Sequence, residues 1–442
     1  MKFPFVLGLL AASNVLSDDL QDLSRASGAP LQAMRENPAQ SPSTVKDKRL
    51  SDSLTLDDAV RIAAWNNREI QSVLAEMAAA KAERRSGRML PNPTLEADIR
   101  FGNGERRADY ALTLDLSDLL FYPLKWGAAG AGFRRDKMRA AMRLRGLIAD
   151  VKTSYYRLLA QEGIRKLLVS MRENAEAASD LSERQIKAGN IGVLDRSVQE
   201  ELKQDATLAL SEAESEILTE RINLSRLLGR GGSMQPLVLG ESHMEIPAGD
   251  PSVEELIPIA IAANPEIAEA REGASAAEQA STLANWNRLP SLRGGVALEQ
   301  EGSKTFMGPK IALEIPLDLG WNAAARATAG KEAARHRFAS IQDKTTADIQ
   351  AAVARLSAAR KAIRYYREEI IPLREKVVAE TQRQYNFMLL GVYQLIQAKQ
   401  NEYAARRGLI ESERSYWISH VELERMLGTP VPQASALPGG TP

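Results

Sequence analysis

The chain has no cysteine among its 442 residues. Disulfides, thiol catalysis and thiolate metal sites are therefore excluded together. Histidine is almost as scarce: His243, His336 and His420 lie far apart and form no ligand-spaced cluster. No metal and no other cofactor is expected. Net charge is missing as well, because 57 basic residues balance 57 acidic ones and the two signs are interleaved along the chain. A chain without a broad basic surface is not expected to bind nucleic acid. Beyond the N-terminus no segment reaches the roughly 18 uninterrupted apolar residues of a transmembrane helix. No nucleophile, base and orienting group stand in a recognisable motif, and phosphate-binding glycine loops are absent, so no enzymatic activity is expected.

What is present is written twice. Arg184, Gln185, Gly192 and Val193 return as Arg383, Gln384, Gly391 and Val392, and Leu224, Leu228 and Gly229 return as Leu423, Leu427 and Gly428, all at an offset of 199 (383 − 184, 428 − 229). A repeat of this length makes each half one structural unit packed against its copy. Asn67-Arg68-Glu69-Ile70 and Asn264-Pro265-Glu266-Ile267 match at 197 instead, which implies a two-residue length change before Pro91 and Pro290. Those prolines are read as ending the first helical stretch of each half.

Each half opens on a helix-start signal. Thr55 with Asp57 and Asp58, and Ser252 with Glu254 and Glu255, put a hydroxyl cap and first-turn carboxylates ahead of an apolar run. Such groups satisfy free amides and oppose the helix dipole. Strands follow the prolines. Leu95, Ala97, Ile99 and Phe101 alternate with Glu96, Asp98 and Arg100; after a turn at Gly102-Asn103-Gly104, Tyr110, Leu112, Leu114 and Leu116 alternate with Ala111, Thr113 and Asp115. In the copy Leu292, Gly294, Val296 and Leu298, and then Ile311, Leu313, Ile315 and Leu317, hold the apolar phase. Period-two patterning gives each hairpin one apolar and one charged face. Two readings remain open for it: a soluble sheet with one buried face, or a stretch of membrane wall. Four strands cannot close a membrane barrel, since the smallest need about eight, so the second reading requires several chains to share one barrel.

The remaining segments are too long for a compact domain. No proline occurs from Leu124 to Gln235, from Leu317 to Ile371, or from Leu373 to Thr429. At 1.5 Å per residue, the roughly 60 residues from Gly127 to Ala188 would extend about 90 Å if continuous. Val198, Leu202, Ala206, Ala209, Ala213, Ile217, Leu224 and Leu227 fall near three- and four-residue steps with charged residues between them, the pattern of a closely packed coiled coil. Pro372 should kink or interrupt the second long helix. Each helical pair reverses at a short tip. The first is Lys187-Ala188-Gly189-Asn190-Ile191-Gly192, where glycine and asparagine permit positive φ. The second, Asn386-Phe387-Met388-Leu389-Leu390-Gly391, is apolar where an isolated turn would be polar, as expected of a docking surface or of burial in an oligomer.

The doubled plan, the opening Leu54-Thr55-Leu56-Asp57-Asp58-Ala59 with Asn67, the tips Gly189 to Asp195 and Tyr385 to Leu395, and the closing Leu227-Leu228-Gly229 and Met426-Leu427-Gly428 together resemble the TolC family of bacterial outer-membrane efflux channels. The second tip is similar to that of the heavy-metal and copper efflux branch. The resemblance implies a mainly helical fold with membrane β: long antiparallel helical hairpins in an α-barrel, plus four strands per chain in a trimeric twelve-stranded β-barrel. It implies a homotrimer in outer-membrane lipid that extends into the periplasm. There it would meet a periplasmic adaptor protein and an inner-membrane pump, of the resistance-nodulation-division (RND) type. The chain would be a passive duct. A non-conducting periplasmic coiled-coil bridging protein is the other reading of the same pattern.

The organisation expected is a signal peptide over 1–17, a flexible segment over 18–53, a first repeat over 54–235 with a β-hairpin at 93–117 and a helical hairpin at 127–229, a second repeat over 251–428 with a β-hairpin at 291–317 and a helical hairpin at 320–428, and a disordered tail over 429–442. The signal rests on Lys2 followed by the apolar stretch Phe3 to Ala12. Leu10-Ala11-Ala12-Ser13 also looks like a lipobox whose cysteine has become serine, which rules out a thioether lipid anchor there. In the family an aspartate just past the first tip pairs with a tyrosine before the second to hold the periplasmic aperture closed; these positions are Asp195 and Tyr385. A shielded phenol–carboxylate bond contributes on the order of 1.5 to 3 kcal/mol. Gln394 and Gln397 stand where some relatives carry two aspartates. The residues implied to dock the adaptor are Gly189, Asn190, Ile191, Gly192, Met388, Leu389, Leu390 and Gly391.

Overall fold

The computed structural model describes residues 23–24, 53–102, 105–231, 237–240, 246–247, 249, 251–286, 288–301, 303–315 and 320–432. The signal peptide, the lipobox-like tetrapeptide, nearly all of 18–53, the turn residues Asn103 and Gly104, and the tail from 433 onward lie outside the described residues. The elements run α1 (Leu56–Asn66), α2 (Arg68–Ser86), β1 (Thr94–Gly102), β2 (Glu105–Asp115), α3 (Leu116–Leu120), α4 (Tyr122–Lys187), α5 (Val193–Leu227), α6 (Val253–Ala263), α7 (Pro265–Trp286), β3 (Ser291–Glu301), β4 (Lys304–Glu314), α8 (Trp321–Tyr365), a π-turn (Tyr366–Ile370), α9 (Ile371–Asn386) and α10 (Val392–Leu427). The duplication holds in three dimensions. The stretch from Trp321 to Asn386 matches α4 at both ends at the same offset of 199 (321 − 122, 386 − 187).

Two compact units divide the chain. One holds 72–142 and 265–344, and therefore the sheet; the other holds 143–264 and 345–432 with the residues up to Gln71 at the start of α2. In the first unit the strands form one antiparallel sheet in the order β1-β2-β3-β4. The register stacks Leu95, Leu112, Val296 and Pro309 in one row and Ala97, Tyr110, Leu298 and Met307 in the next, so all four strands share one apolar face. The other face carries Glu96, Asp98, Asp109, Arg293, Glu299 and Lys310. Ion pairs bridge that face: Lys310 with Glu96, Arg107 with Glu301, and Arg293 with Glu314 at 2.8 Å. Among the described residues no second layer covers either face, and the buried strand positions are the small Ala108, Ala111 and Thr113 of β2. Every residue of β1 from Thr94 to Phe101 is exposed, as are Leu112, Val296, Ile311 and Leu313 on the apolar side. A soluble sheet would bury that side against another layer, and the described residues supply none.

The second unit is helical, and its cores follow the coiled-coil step. Ile349, Ala352, Leu356, Ala359 and Ile363 of α8 advance by three and four residues and pack with Leu256 of α6 and Tyr416, Leu423 and Leu427 of α10. Large and small side chains alternate along α8, the pattern that lets helices pack closely. In α5 the buried seam is Gln199, Ala206, Leu210, Ala213, Ile217, Leu224 and Leu227. This corrects the sequence reading at two places: Val198 is exposed and its neighbour Gln199 takes the seam, and Leu210 rather than Ala209 is buried. A one-residue shift of phase rotates a helical position by about 100°, and apolarity alone does not set that phase.

Other boundaries also move. The first-half helix is broken in two at Asn67, and α2 and α7 end at Ser86 and Trp286, before the prolines. The first long helix starts at Tyr122 instead of Gly127, with Pro123 in the first turn, where its missing N–H is harmless. Thr55 caps α1 as expected, accepting from the Asp58 amide at 3.2 Å. Ser252 does not cap α6, because its hydroxyl donates to the Glu254 carboxylate at 2.5 Å. Pro372 is accommodated by the π-turn just before it, which is the interruption its missing donor required. Among the described residues no helix is long and apolar enough to cross a membrane.

Candidate functional site

The two tips are built on one backbone plan. In the first, the amides of Ala188 and Asn190 donate to the carbonyls of Arg184 and Gln185 at 3.1 and 2.9 Å. In the second, those of Phe387 and Leu389 donate to Arg383 and Gln384 at 3.2 and 3.0 Å. Both reversals need one residue at positive φ, and the repeat puts it at the same place. Gly189 has φ +74° and Met388 has φ +59°. Met388 is the only non-glycine in that region among the described residues. A side chain there costs roughly 1 to 2 kcal/mol, and Met388 projects outward at 93 % exposure. Phe387, Leu389, Val193 and Leu194 are exposed beside the two turns.

Gly192 and Gly391 begin α5 and α10 as N-caps. Asp195 accepts from the Gly192 amide at 3.3 Å, so within one chain its carboxylate closes the start of its own helix. Gln394, its counterpart at offset 199, lies beside Gly391 in the same way. Gln397 donates to Asn401 at 3.5 Å along α10. Tyr385 is exposed in the last turn of α9, and no hydrogen bond joins it to Asp195 among the described residues. The single chain therefore does not bring the expected pair together.

A different tyrosine does tie the tips. Tyr393 donates its hydroxyl to Gln185 Oε1 at 3.1 Å, linking the start of α10 to the end of α4. Burial and then the Asp195 carboxylate push its phenol above the ordinary range, so it stays a neutral donor. Sequence reasoning missed it because nothing local distinguishes a tyrosine in the first turn of a helix. Further along, Asn174 donates to the Tyr403 hydroxyl at 2.7 Å across an open groove of about 550 Å³ lined by Met171, Ala178, Leu202 and Ile396. Deeper in α10, burial raises the Glu402 carboxyl, but hydrogen bonds from Lys399 and Arg406 outweigh it and hold the group below its usual range. Among the described residues no three acidic or histidine side chains converge on a metal site.

At the other end of each hairpin the repeat makes a second paired device. Asn67 Nδ2 donates to the Leu227 carbonyl at 2.8 Å, and Asn264 Nδ2 donates to the Met426 carbonyl at 2.7 Å. Each asparagine stands at a helix break, and each receiving carbonyl lies just ahead of a positive-φ glycine, Gly229 or Gly428. A Cβ on those glycines would fall 2.2 Å from the Asn66 oxygen and 2.1 Å from the Ala263 oxygen. The asparagine clamp explains why these residues mark the repeat.

Comparison with known proteins agrees with this architecture. The model of the outer membrane efflux protein family matches residues 59–230 and 256–429, once in each half. A search of curated proteins finds no match. Among solved structures, CusC superposes with a TM-score of 0.71 at 15 % identity, covering 85 % of this chain and 92 % of that one. The CmeC outer membrane channel of Campylobacter jejuni gives 0.70 at 16 % identity over 84 % and 85 %. The outer membrane protein VceC of Vibrio cholerae gives 0.71 at 14 % over 85 % and 97 %. These near-equal scores establish the fold and favour no single branch.

Proposed function

The chain belongs to the outer membrane efflux protein family, and on that premise we propose that three copies assemble into one duct that crosses the outer membrane and continues into the periplasm. The observation that carries this is the four-stranded sheet: one face is apolar and uncovered, the other is charged, and β1 and β4 are left as open edges. Open edges and an uncovered apolar face are both costly to a soluble protein. Both are resolved when β4 of one copy pairs with β1 of the next, giving a twelve-stranded wall with lipid outside and the charged face toward water. Substrate then moves down its own gradient, with energy supplied by an inner-membrane pump.

The tips are the natural meeting place with a periplasmic adaptor. Their apolar side chains, Met388 foremost, are exposed and have no cover among the described residues. Asp195 and Tyr385 act as aperture residues only between hairpins that the assembly brings together, with Tyr393 as a third member of the lock. Gln394 and Gln397 are neutral, so they add no carboxylates to the aperture and do not themselves concentrate cations there.

Reconstitution of the purified chain into planar bilayers tests this. The expected result is a detergent-dependent trimer of low conductance, and a severalfold higher conductance in Asp195→Ala or Tyr385→Phe. Unchanged conductance in both variants removes the aperture assignment. A detergent-free, non-conducting monomer removes the duct and favours the bridging coiled coil.

A further inference from the structure

The end of the sheet that joins the helices carries the same pair of side chains twice. Arg88 stands between α2 and β1, and Arg288 between α7 and β3, in the related runs Arg88-Met89-Leu90-Pro91 and Arg288-Leu289-Pro290. Trp126 lies near the start of α4, and Trp321 opens α8. The Arg88 guanidinium carbon is 4.9 Å from the centre of the Trp126 ring, and that of Arg288 is 3.8 Å from the centre of Trp321. In the first copy Arg84 lies over Phe133 at 4.9 Å as well. The Nε atoms of Arg84 and Arg88 are buried without a hydrogen-bond partner among the described residues, which leaves the outer nitrogens of each guanidinium to meet a ligand.

Stacking orients a guanidinium without neutralising it, and its planar edge presents parallel donors that match a phosphate. The local sequence around the first pair is basic: between residues 81 and 88, Lys81, Arg84, Arg85 and Arg88 stand with one acid, Glu83. Apolar surface surrounds both pairs. Met89, Leu90, Leu120, Trp126, Trp286, Leu289 and Trp321 are all exposed here. This belt continues from the apolar face of the strands, whose ends meet the same junction. Cations stacked on tryptophan beside bare aliphatic side chains match the boundary where phospholipid head groups meet their acyl chains. A soluble anion would require the cations but not the apolar collar.

We propose that this collar binds the head-group phosphates of phospholipids in the leaflet next to the helices, one on Arg84, Arg88 and Trp126 and one on Arg288 and Trp321. The proposal rests on the outer-membrane placement of the strands. It goes beyond that placement by assigning a lipid class to named residues.

Native mass spectrometry of the full, delipidated chain released from detergent tests it, with phosphatidylglycerol, diacylglycerol and inorganic phosphate as separate probes. Phosphatidylglycerol is expected to bind well above diacylglycerol. Arg88→Gln combined with Arg288→Gln is expected to weaken it about tenfold or more, as loss of charge-assisted hydrogen bonds worth about 1.5 to 3 kcal/mol implies. Arg88→Lys with Arg288→Lys, which keeps the charge but not the planar fork, should fall between. Equal binding of diacylglycerol, or undiminished phosphatidylglycerol binding in the glutamine variant, overturns the proposal. Displacement of the lipid by millimolar inorganic phosphate overturns the lipid source. Outer-membrane fractionation and far-UV circular dichroism of each variant separate these outcomes from misfolding and from failure of the channel reading.

Discussion

Asparagine and glycine do the most specific work in this chain per atom. Asn67 spans 160 residues to reach the Leu227 carbonyl, and its Oδ1 accepts from the Glu69 amide at 2.8 Å, so one side chain both caps α2 and pins the end of α5. Asn264 repeats the long-range bond to Met426 over 162 residues. Replacing Asn67 by alanine leaves a buried carbonyl without its donor and α2 without its cap, which should lower stability by about 1 to 3 kcal/mol. Asn264→Ala should cost a similar amount, because it leaves the Met426 carbonyl without its donor at the matching helix break. Unfolding midpoints in chemical denaturant check both, and an unmoved midpoint in Asn67→Ala would show that the clamp contributes nothing.

Among the elements, the two long first helices show how a duplicated plan absorbs a local defect. Pro372 occupies the position that Glu173 fills in α4 (372 − 199). Its ring cannot donate and would clash one turn back, so the helix widens through Tyr366–Ile370 and resumes at Ile371 without losing length against its copy. The widened turn leans on α10 at Gly408. A Cβ there would fall 2.5 Å from both the Tyr366 ring carbon Cζ and its hydroxyl oxygen Oη. Gly408→Ala should therefore destabilise the hairpin by about 1 to 3 kcal/mol, the usual range for overpacking. Adding Tyr366→Ala should recover part of that loss. Thermal unfolding of the two variants measures it, and a Gly408→Ala chain as stable as the parent would mean the turn is free to move aside.

For the whole molecule the question is what closes the sheet. The absence of cysteine makes the answer directly measurable, because any thiol pair introduced is the only one present. With Ala97→Cys on β1 and single cysteines scanned from Met307 to Leu313 on β4, oxidation should give covalent trimers at one or two positions on a denaturing gel. Cross-links confined to one chain, or none at any position, would show that the edges do not meet between copies.

How much of this was legible beforehand follows from the range of each interaction. Period-two alternation, the three- and four-residue step of the helices, the cap at Thr55 and the break forced by Pro372 are written in neighbouring residues, because covalent geometry fixes how side chains spaced two, three or four apart share a face. The repeat extended that legibility to the two-hairpin plan and to the tips. The phase of the α5 seam was not legible, since Val198 and Gln199 are adjacent and only packing against α4 selects which is buried. Nor was the partner of Asp195, because a carboxylate three residues into a helix serves equally as a cap or as a contact across a pore. The chain's sequence thus determined its elements, their doubling and the two-faced strands. The tertiary structure alone decided that the sheet is left uncovered, that Asn67 and Asn264 clamp distant helix ends, that Met388 is held at positive φ, and that arginines lie flat on tryptophans. Each of those depends on groups far apart in the sequence meeting at contact distance, which no local pattern encodes.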